Sequence, residues 1–410
     1  MLDIQFIREN SEKVKKGVKA KQLDVKIVDK VLELDEKRRS LLAEVEELRA
    51  ERNKAAKEQD KEKGAELKTK LQKVEPELKE IEESFEKAVY EIPNLPADDV
   101  KAGKDEGENE ILKSWGEPRK FDFKPKSHWE LGENLGIIDT ERGSKVSGSR
   151  FFYLKKDGVS LELALIRYGY ETLLKEGFIP VVPPVLIKEE CMREMGYMEH
   201  GGADDMYILD KDNLILVGTS EQSIGPMHKD EIFKADELPL RYLGISSCFR
   251  REAGSSGKDT KGAFRVHQFN KVEMFSFVAP EKGDEEHEYL LSLEEKFLQG
   301  LGIPYQVSKM CSGDLGSPAA RKYDLEAWFP GEDKYRELTS TSTTTDFQAR
   351  RLNIKYQDKG KTNFVHMLNG TVFSQRPILA ILENYQEKDG SIKVPEVLQK
   401  WMGKDRIASN

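Results

Sequence analysis

The run SSCFRREAGSSGKDTKGAFRVHQFNKVEMFSF, residues 246–277, decides the fold. It reads as two strands around a polar, glycine-rich loop, AGSSGKDTKGA, residues 253–263. Alternate residues of a strand share a face. The spacing therefore places Arg250 and Glu252 on one face of the first strand, and Arg265, Phe269 and Glu273 on one face of the second. Where the faces coincide, they offer two guanidiniums, an aromatic plane and two carboxylates. A guanidinium clamps phosphate bidentately, a ring stacks a base, and a carboxylate binds an ammonium, a hydroxyl or a metal. GSSGK resembles part of a P-loop, but Glu252 stands where the first glycine is needed and Asp259 where Ser or Thr is needed; no GxGxxG occurs either. Spacing alone leaves two readings, a nucleotide site built without a P-loop and an ordinary salt-bridged sheet surface.

Outward from this run, NLILVGTS, LRYLGISSCFR and NFVHMLN read as further strands, while LELALIRYGYETLLKEG and PILAILENYQ have helical periodicity. The strands follow one another without regular crossover helices. That pattern predicts an α+β domain, an antiparallel sheet flanked by helices, over residues 121–410. The N-terminal part differs. Leu67, Leu71, Val74, Leu78, Ile81, Phe85, Ala88 and Ile92 step by four and three, a heptad seam, and Leu34, Leu41, Val45 and Leu48 give a shorter one. KEQDKEKGAE, residues 57–66 with Gly64, separates them. The reading is an antiparallel helical-hairpin coiled-coil arm at about 30–92 within an N-terminal helical domain, 1–100; a dimerisation zipper is the alternative. Pro76 should kink the second helix or weaken one turn. Pro93 and Pro96 end it, and 101–120 reads as a linker.

The chain has 410 residues and a net charge of -9, which excludes a histone-like polybasic partner but not a local nucleic-acid patch. Cys191, Cys248 and Cys311 are far apart and odd in number, which excludes a disulfide framework and a four-thiolate zinc site within the chain. The start, MLDIQFIREN, lacks an apolar signal core, and no run of 18 apolar residues occurs, so the expected setting is cytoplasmic, reducing and away from membranes.

The 246–277 run resembles motif 2 of the class II aminoacyl-tRNA synthetases, and within them the seryl-tRNA synthetases. HWELGENLGIIDTERGSKVSGSRF, GYETLLKEGFIPVVPP, VGTSEQ, YRELTSTSTTTDFQARR and HMLNGTVFSQRPILAILENYQ resemble the same family in the same order, and the N-terminal hairpin resembles its tRNA-binding arm. The resemblance implies the class II catalytic fold. It also implies ATP-dependent activation of L-serine to seryl-adenylate, then transfer to the 3′ end of tRNA(Ser), with tRNA(Sec) a further family substrate. GFIPVVPP resembles motif 1, whose proline, Pro183 or Pro184 here, belongs to a homodimer interface.

By the resemblance, Arg250 holds the serine carboxylate and the α-phosphate, Glu252 contacts ATP, Arg265 binds the outer phosphates and Phe269 packs on adenine. Arg376 stands as the motif 3 arginine on the γ-phosphate; Arg251, Val266, Leu338 and Thr339 complete the expected ATP site. Glu337 and Ser340 are the implied Mg²⁺ ligands, although a separation of three does not fit one face of a regular strand. Thr219, Ser220, Glu221, Glu273 and Thr371 are the implied serine site, Glu221 taking the ammonium and Glu273 with Thr371 the hydroxyl. A polar pair built for a hydroxyl rejects an analogue lacking it by ~10⁴–10⁵. His267 and His366 are read as structural, since adenylyl transfer needs positioning and charge stabilisation rather than a general base.

The chain departs from the family in places. NGTVFSQRP is one residue shorter than the common NGSGLAVGRT, Arg251 stands where serine is frequent, TSTSTTT replaces ISSCSNC, and the arm is short for a bacterial member. No zinc-ligand set is visible, so no zinc is expected. Arg38, Arg39, Arg49, Arg52, Lys54 and Lys57 either contact tRNA phosphates or balance neighbouring acids on a solvated helix. Two rival readings are an enzyme that loads a carrier protein, which the arm disfavours, and a non-catalytic regulator, which the retained arginines and carboxylates disfavour.

Overall fold

Leucines and valines spaced by three and four line one stripe of each long N-terminal helix, and the stripes close on each other. The computed structural model describes residues 1–253 and 262–409 and divides into two compact units, Met1–Leu95 and Pro96–Asn410. The first unit is helical: α1 (Ile4–Glu9), α2 (Ser11–Ala20), α3 (Lys26–Lys57) and α4 (Lys61–Tyr90). Val45, Leu71 and Leu78 are buried, with Leu41, Leu42, Leu48 and Val74 packed on them. Arg38 lies over the Phe85 ring at 4.7 Å and Arg49 pairs with Glu75 at 2.8 Å. Contacts thus descend α4 as they climb α3, so the seam closes as an antiparallel hairpin within one chain.

One detail corrects the sequence reading. Gly64 is not in the turn but in the first turn of α4. The turn is residues 58–60, where Gln59 takes the left-handed conformation (φ +58°) and Asp60 caps α4 by accepting from the Lys63 N–H at 3.0 Å. A capping carboxylate satisfies an orphan N–H, so no glycine is required there. Pro76 lies inside α4, and the helix continues through it to Tyr90 despite the missing donor.

The second unit is built on eight strands: β1 (Glu110–Trp115), β2 (Ile179–Val181), β3 (Leu240–Phe249), β4 (Gln268–Val278), β5 (Tyr305–Lys309), β6 (Arg321–Phe329), β7 (Lys334–Thr343) and β8 (His366–Phe373). Their order is β1-β5-β6-β7-β8-β4-β3-β2, antiparallel throughout except for β2 beside β3. The 101–120 stretch read as a linker therefore contains an edge strand. Its polar composition reflects an exposed edge, since all six residues of β1 are exposed while its backbone pairs with β5. Helices α5 (Asp157–Lys175), α6 (Gly283–Leu301) and α7 (Arg376–Asn384) supply the apolar layer, with Leu161, Leu165, Leu290, Leu298, Ile378 and Ile381 in one core with sheet residues.

Two β-bulges re-phase the sheet. Leu325 pairs with Thr339 but Glu326 with Glu337, leaving Leu338 as an extra residue of β7; Val272 pairs with Phe373 but Glu273 with Thr371, leaving Val372 extra in β8. At each bulge two successive residues turn to the helical layer. Leu338 joins the core and Thr339 donates to Glu294 of α6 at 2.8 Å. Val372 and Phe373 both close on Gly169 of α5, where a Cβ would meet them at 3.1 and 3.2 Å.

Leu71, 2 % exposed, is a buried seam position whose truncation tests the packing. Leu71→Ala should cost about 2–5 kcal/mol of hairpin stability, whereas the exposed Lys68→Ala should stay within ~0.5 kcal/mol. Urea unfolding followed by far-UV circular dichroism checks both.

Candidate active site

A cavity of about 380 Å³ opens on the sheet face opposite the helices. Its walls include four stretches singled out by the sequence: Gly218, Thr219, Glu221 and Gln222; Arg250, Glu252, Val266, Phe269 and Lys271; Glu337, Leu338, Thr339 and Ser340; and Asn369, Thr371 and Arg376. Most of the residues singled out in the sequence thus meet in one place. Ser220, Arg251, Arg265 and Glu273 are not on its surface. Ser220 is fully buried against Gly244, where any Cβ would come within 2.6 Å of its hydroxyl. Arg251 is exposed and lies over the Tyr207 ring at 5.8 Å. Arg265 pairs with Glu252 at 3.3 Å.

The strand-face argument placed some of these residues for the wrong reason. β3 ends at Phe249, so Arg250 and Glu252 lie beyond it, and β4 begins at Gln268, so Arg265 precedes it. Chain reversal rather than alternation brings them in. Glu252 takes φ +53°, a conformation costly for a non-glycine residue and concentrated at functional sites. The stretch 254–261 of the glycine-rich loop, including GSSGK, lies outside the described residues.

Arg250 is held by its own neighbours. Its Nε donates to the Gly218 carbonyl at 3.1 Å, its guanidinium lies 5.3 Å from the Phe269 ring centre, and its carbonyl accepts from His267 Nδ1 at 2.9 Å. That last bond gives His267 a structural task. Arg376 begins α7, where the following Pro377 suits the first turn. Its Nη1 donates to the Glu337 carboxylate at 2.9 Å and carbonyl at 3.1 Å. The helix is braced from behind: Glu383 accepts from the backbone and Nδ1 of His128 at 2.8 and 2.7 Å and from the Gly331 N–H at 2.8 Å. With Glu332 these two form a group of metal-competent side chains, but Arg336 and Lys334 already neutralise Glu332 at 2.6 and 2.9 Å.

The Leu338 bulge resolves the three-residue spacing. With one residue inserted, positions i and i+3 share a face, so Glu337 and Ser340 both look into the cavity. Desolvation works against the Glu337 charge, yet Arg376 and Lys322 overcome it and hold the carboxyl down to about 2. An ionised carboxylate beside a hydroxyl, with room for phosphate oxygens and water, is a donor set that suits Mg²⁺. The Val372 bulge acts likewise on β8, setting Thr371 directly opposite Glu273.

Glu273 is fully buried and ion-paired with Lys271, whose Nζ also donates to Thr219 at 3.0 Å. Burial raises the Glu273 carboxyl. Glu221 is 4 % exposed; burial, and then the neighbouring charge of Glu273, push it up to about 7 against the opposing pull of Lys271, Arg250 and Lys322. Lys271 was legible and missed: it lies between Phe269 and Glu273 on one face of β4. Asn369, two residues before Thr371, carries the same signal. Lys322 and Tyr197 also line the cavity, and nothing in their local pattern marks them.

The family model described as seryl-tRNA synthetase N-terminal domain matches residues 1–96, and that described as tRNA synthetase class II core domain (G, H, P, S and T) matches 207–385. A serine–tRNA ligase of Treponema denticola is 45 % identical over 99 % of this chain and 100 % of its own. The chain belongs to the seryl-tRNA synthetase family. The crystal structure of the seryl-tRNA synthetase from Pyrococcus horikoshii complexed with ATP superposes with a TM-score of 0.94 at 41 % identity, covering 100 % of both chains. The cytoplasmic serine–tRNA ligase of Naegleria fowleri in complex with AMP gives 0.90 at 36 % identity, over 100 % of this chain and 99 % of that one. The family fold, a helical arm and a class II core, is the fold of this chain, and its enzyme class is that of the aminoacyl-tRNA ligases.

Raising a carboxyl from 4.5 to about 7 disfavours the ionised fold. The stability contributed by neutral Glu221 is complete below pH 4.5 and is lost as the pH rises through 7. Glu221→Gln should therefore match the parent melting temperature at pH 5 and exceed it by a few degrees at pH 8. Differential scanning calorimetry without ligands measures both.

Proposed function

We propose that the cavity activates L-serine with ATP and passes the seryl group to tRNA(Ser). The observation that carries this is the convergence of motif 2, motif 3 and the Thr219–Glu221 turn on one cavity, where the Arg250 guanidinium lies over the Phe269 ring and Arg376 and Glu221 line the same walls. A serine carboxylate oxygen attacks the α-phosphorus of ATP, and pyrophosphate leaves. The 3′-hydroxyl of the tRNA terminal adenosine then attacks the seryl carbonyl, and AMP leaves. Arg250 orients the carboxylate and α-phosphate, Phe269 stacks adenine, and Arg376 takes the outer phosphates, so the residues supply position and charge. Glu337 and Ser340 would hold Mg²⁺, which neutralises phosphate charge when bound. Arg265 reaches ATP by exchanging its Glu252 partner for phosphate.

Glu221 receives the ammonium, with Thr219 beside it. Thr371 on the cavity wall, with buried Glu273 facing it across β4 and β8, favours a substrate hydroxyl, which alanine lacks. A homodimer is supported by the exposed apolar residues Leu163, Leu174, Ile179 and Val182 around the motif 1 strand, next to buried Pro183. Among the described residues no helix is long and apolar enough to cross a membrane, and three free cysteines suit a cytoplasmic setting.

For tRNA, the six basic candidates divide. Arg38 and Arg39 bond the buried Asp35 at 3.1 and 3.0 Å, and Arg49 is paired with Glu75. Arg52, Lys54 and Lys57 are exposed near the hairpin tip and have no ion pair among the described residues. They are the phosphate contacts, and salt should weaken tRNA binding accordingly.

Serine-dependent ATP–pyrophosphate exchange and charging of tRNA with serine, alanine and threonine test the reading. No exchange points to a regulator, and exchange without charging to a carrier-loading enzyme. Arg250→Ala should lower exchange by at least ~10²-fold with the dimer intact. Replacing Arg52, Lys54 and Lys57 together by Glu should raise the KM for tRNA by at least ~10-fold and spare exchange.

A further inference from the structure

Tyr197 belongs to none of the motifs on which the family reading rests, yet its side chain reaches the cavity wall. Its phenol donates a hydrogen bond to Oε1 of Glu221. The segment that carries it is fastened on both sides. Gln348 Nε2 donates to the Met195 carbonyl at 3.0 Å, and Arg351 Nη1 to the Arg193 carbonyl at 2.8 Å. Gly196 takes φ +85°, and a Cβ there would come within 3.1 Å of the Phe347 ring. The Tyr197 ring packs against two apolar clusters, one containing Met195 and Phe275 and the other Met192 and Val217. A hydroxyl carried this way is a fixed donor aimed at a buried carboxylate.

We propose that Tyr197 is a positioning residue for the amino acid: its hydroxyl holds Glu221 in the orientation that receives the substrate ammonium. The inference deepens the reading of the cavity as a serine site and rests on it. The groups that act on the Glu221 charge are Glu273, which opposes it, and Lys271, Arg250 and Lys322, which favour it. Those three cations repel an incoming ammonium as well. A phenol is neutral, so it favours the ionised carboxylate without that repulsion. It also orders the acceptor before substrate arrives, so binding does not have to supply that order. The ring limits the space beside the carboxylate, which a glycine or alanine at 197 would leave open.

Tyr197→Phe keeps the ring and removes the hydroxyl. Serine-dependent exchange is measured from pH 5.5 to 9 for the parent, Tyr197→Phe and Glu221→Gln. In Tyr197→Phe the KM for serine should rise about tenfold, the loss expected of one hydrogen bond to a charged group. Its KM for ATP and its kcat should stay unchanged, and the acidic limb of kcat/KM for serine should move to higher pH. In Glu221→Gln that limb should vanish. An unmoved limb with an unchanged serine KM overturns the inference, as does an equal rise in both KM values, which marks a general loss of structure. A parent inert toward serine overturns the functional reading as well, so the two failures are told apart by the parent alone.

Discussion

One residue too many in each of two adjacent strands sets the chemistry of this molecule. A regular strand alternates between helix face and cavity face. Without the Leu338 bulge, Ser340 would fall on the opposite face from Glu337; without the Val372 bulge, Phe373 would leave the core or Thr371 would leave Glu273. The bulges let the strands keep continuous apolar contact with α5 and α6 while presenting an uninterrupted polar wall to the cavity. On the apolar side Val372 and Phe373 both pack close on Gly169, where a Cβ would meet them at 3.1 and 3.2 Å.

The polar wall is expensive for the fold. Glu221 and Glu273 are buried side by side, with Lys271 as the nearest compensating charge. Buried carboxylates that perturb each other in this way are concentrated at functional sites. The phosphate end is balanced differently. Arg376 and Glu337 pair with each other, which fixes the orientation of both side chains at the cavity wall. Across the cavity, Arg250 is pinned by a carbonyl and a ring, with no carboxylate paired to it among the described residues.

Much of this was legible in the sequence and some was not, for physical reasons. Heptad spacing reported the hairpin because a coiled-coil seam is a local, periodic signal. Gly64 is a poor marker of the turn, because Gln59 in the left-handed conformation with the Asp60 cap reverses the chain before α4 begins. Motif order pointed to residues most of which line one cavity, yet their strand-face grouping failed at Arg250 and Arg265, where the strands had already ended. The bulges were invisible because they are properties of the pairing between strands, and register is not written in either strand alone. Lys271 needed only the alternation already applied to Phe269 and Glu273. Tyr197 had no signal, since its contact with Glu221 joins residues from different elements.

In the proposed reaction amino acid and nucleotide share one cavity, shaped by the two bulges for the species in which they are joined. Isothermal titration with the non-hydrolysable adenylate mimic seryl-sulfamoyl-adenosine tests it most directly. Binding at least ~10²-fold tighter than serine or ATP alone, with both displaced from the same sites, is the predicted result. Tight binding of the mimic that left serine free to bind alongside it would contradict the account.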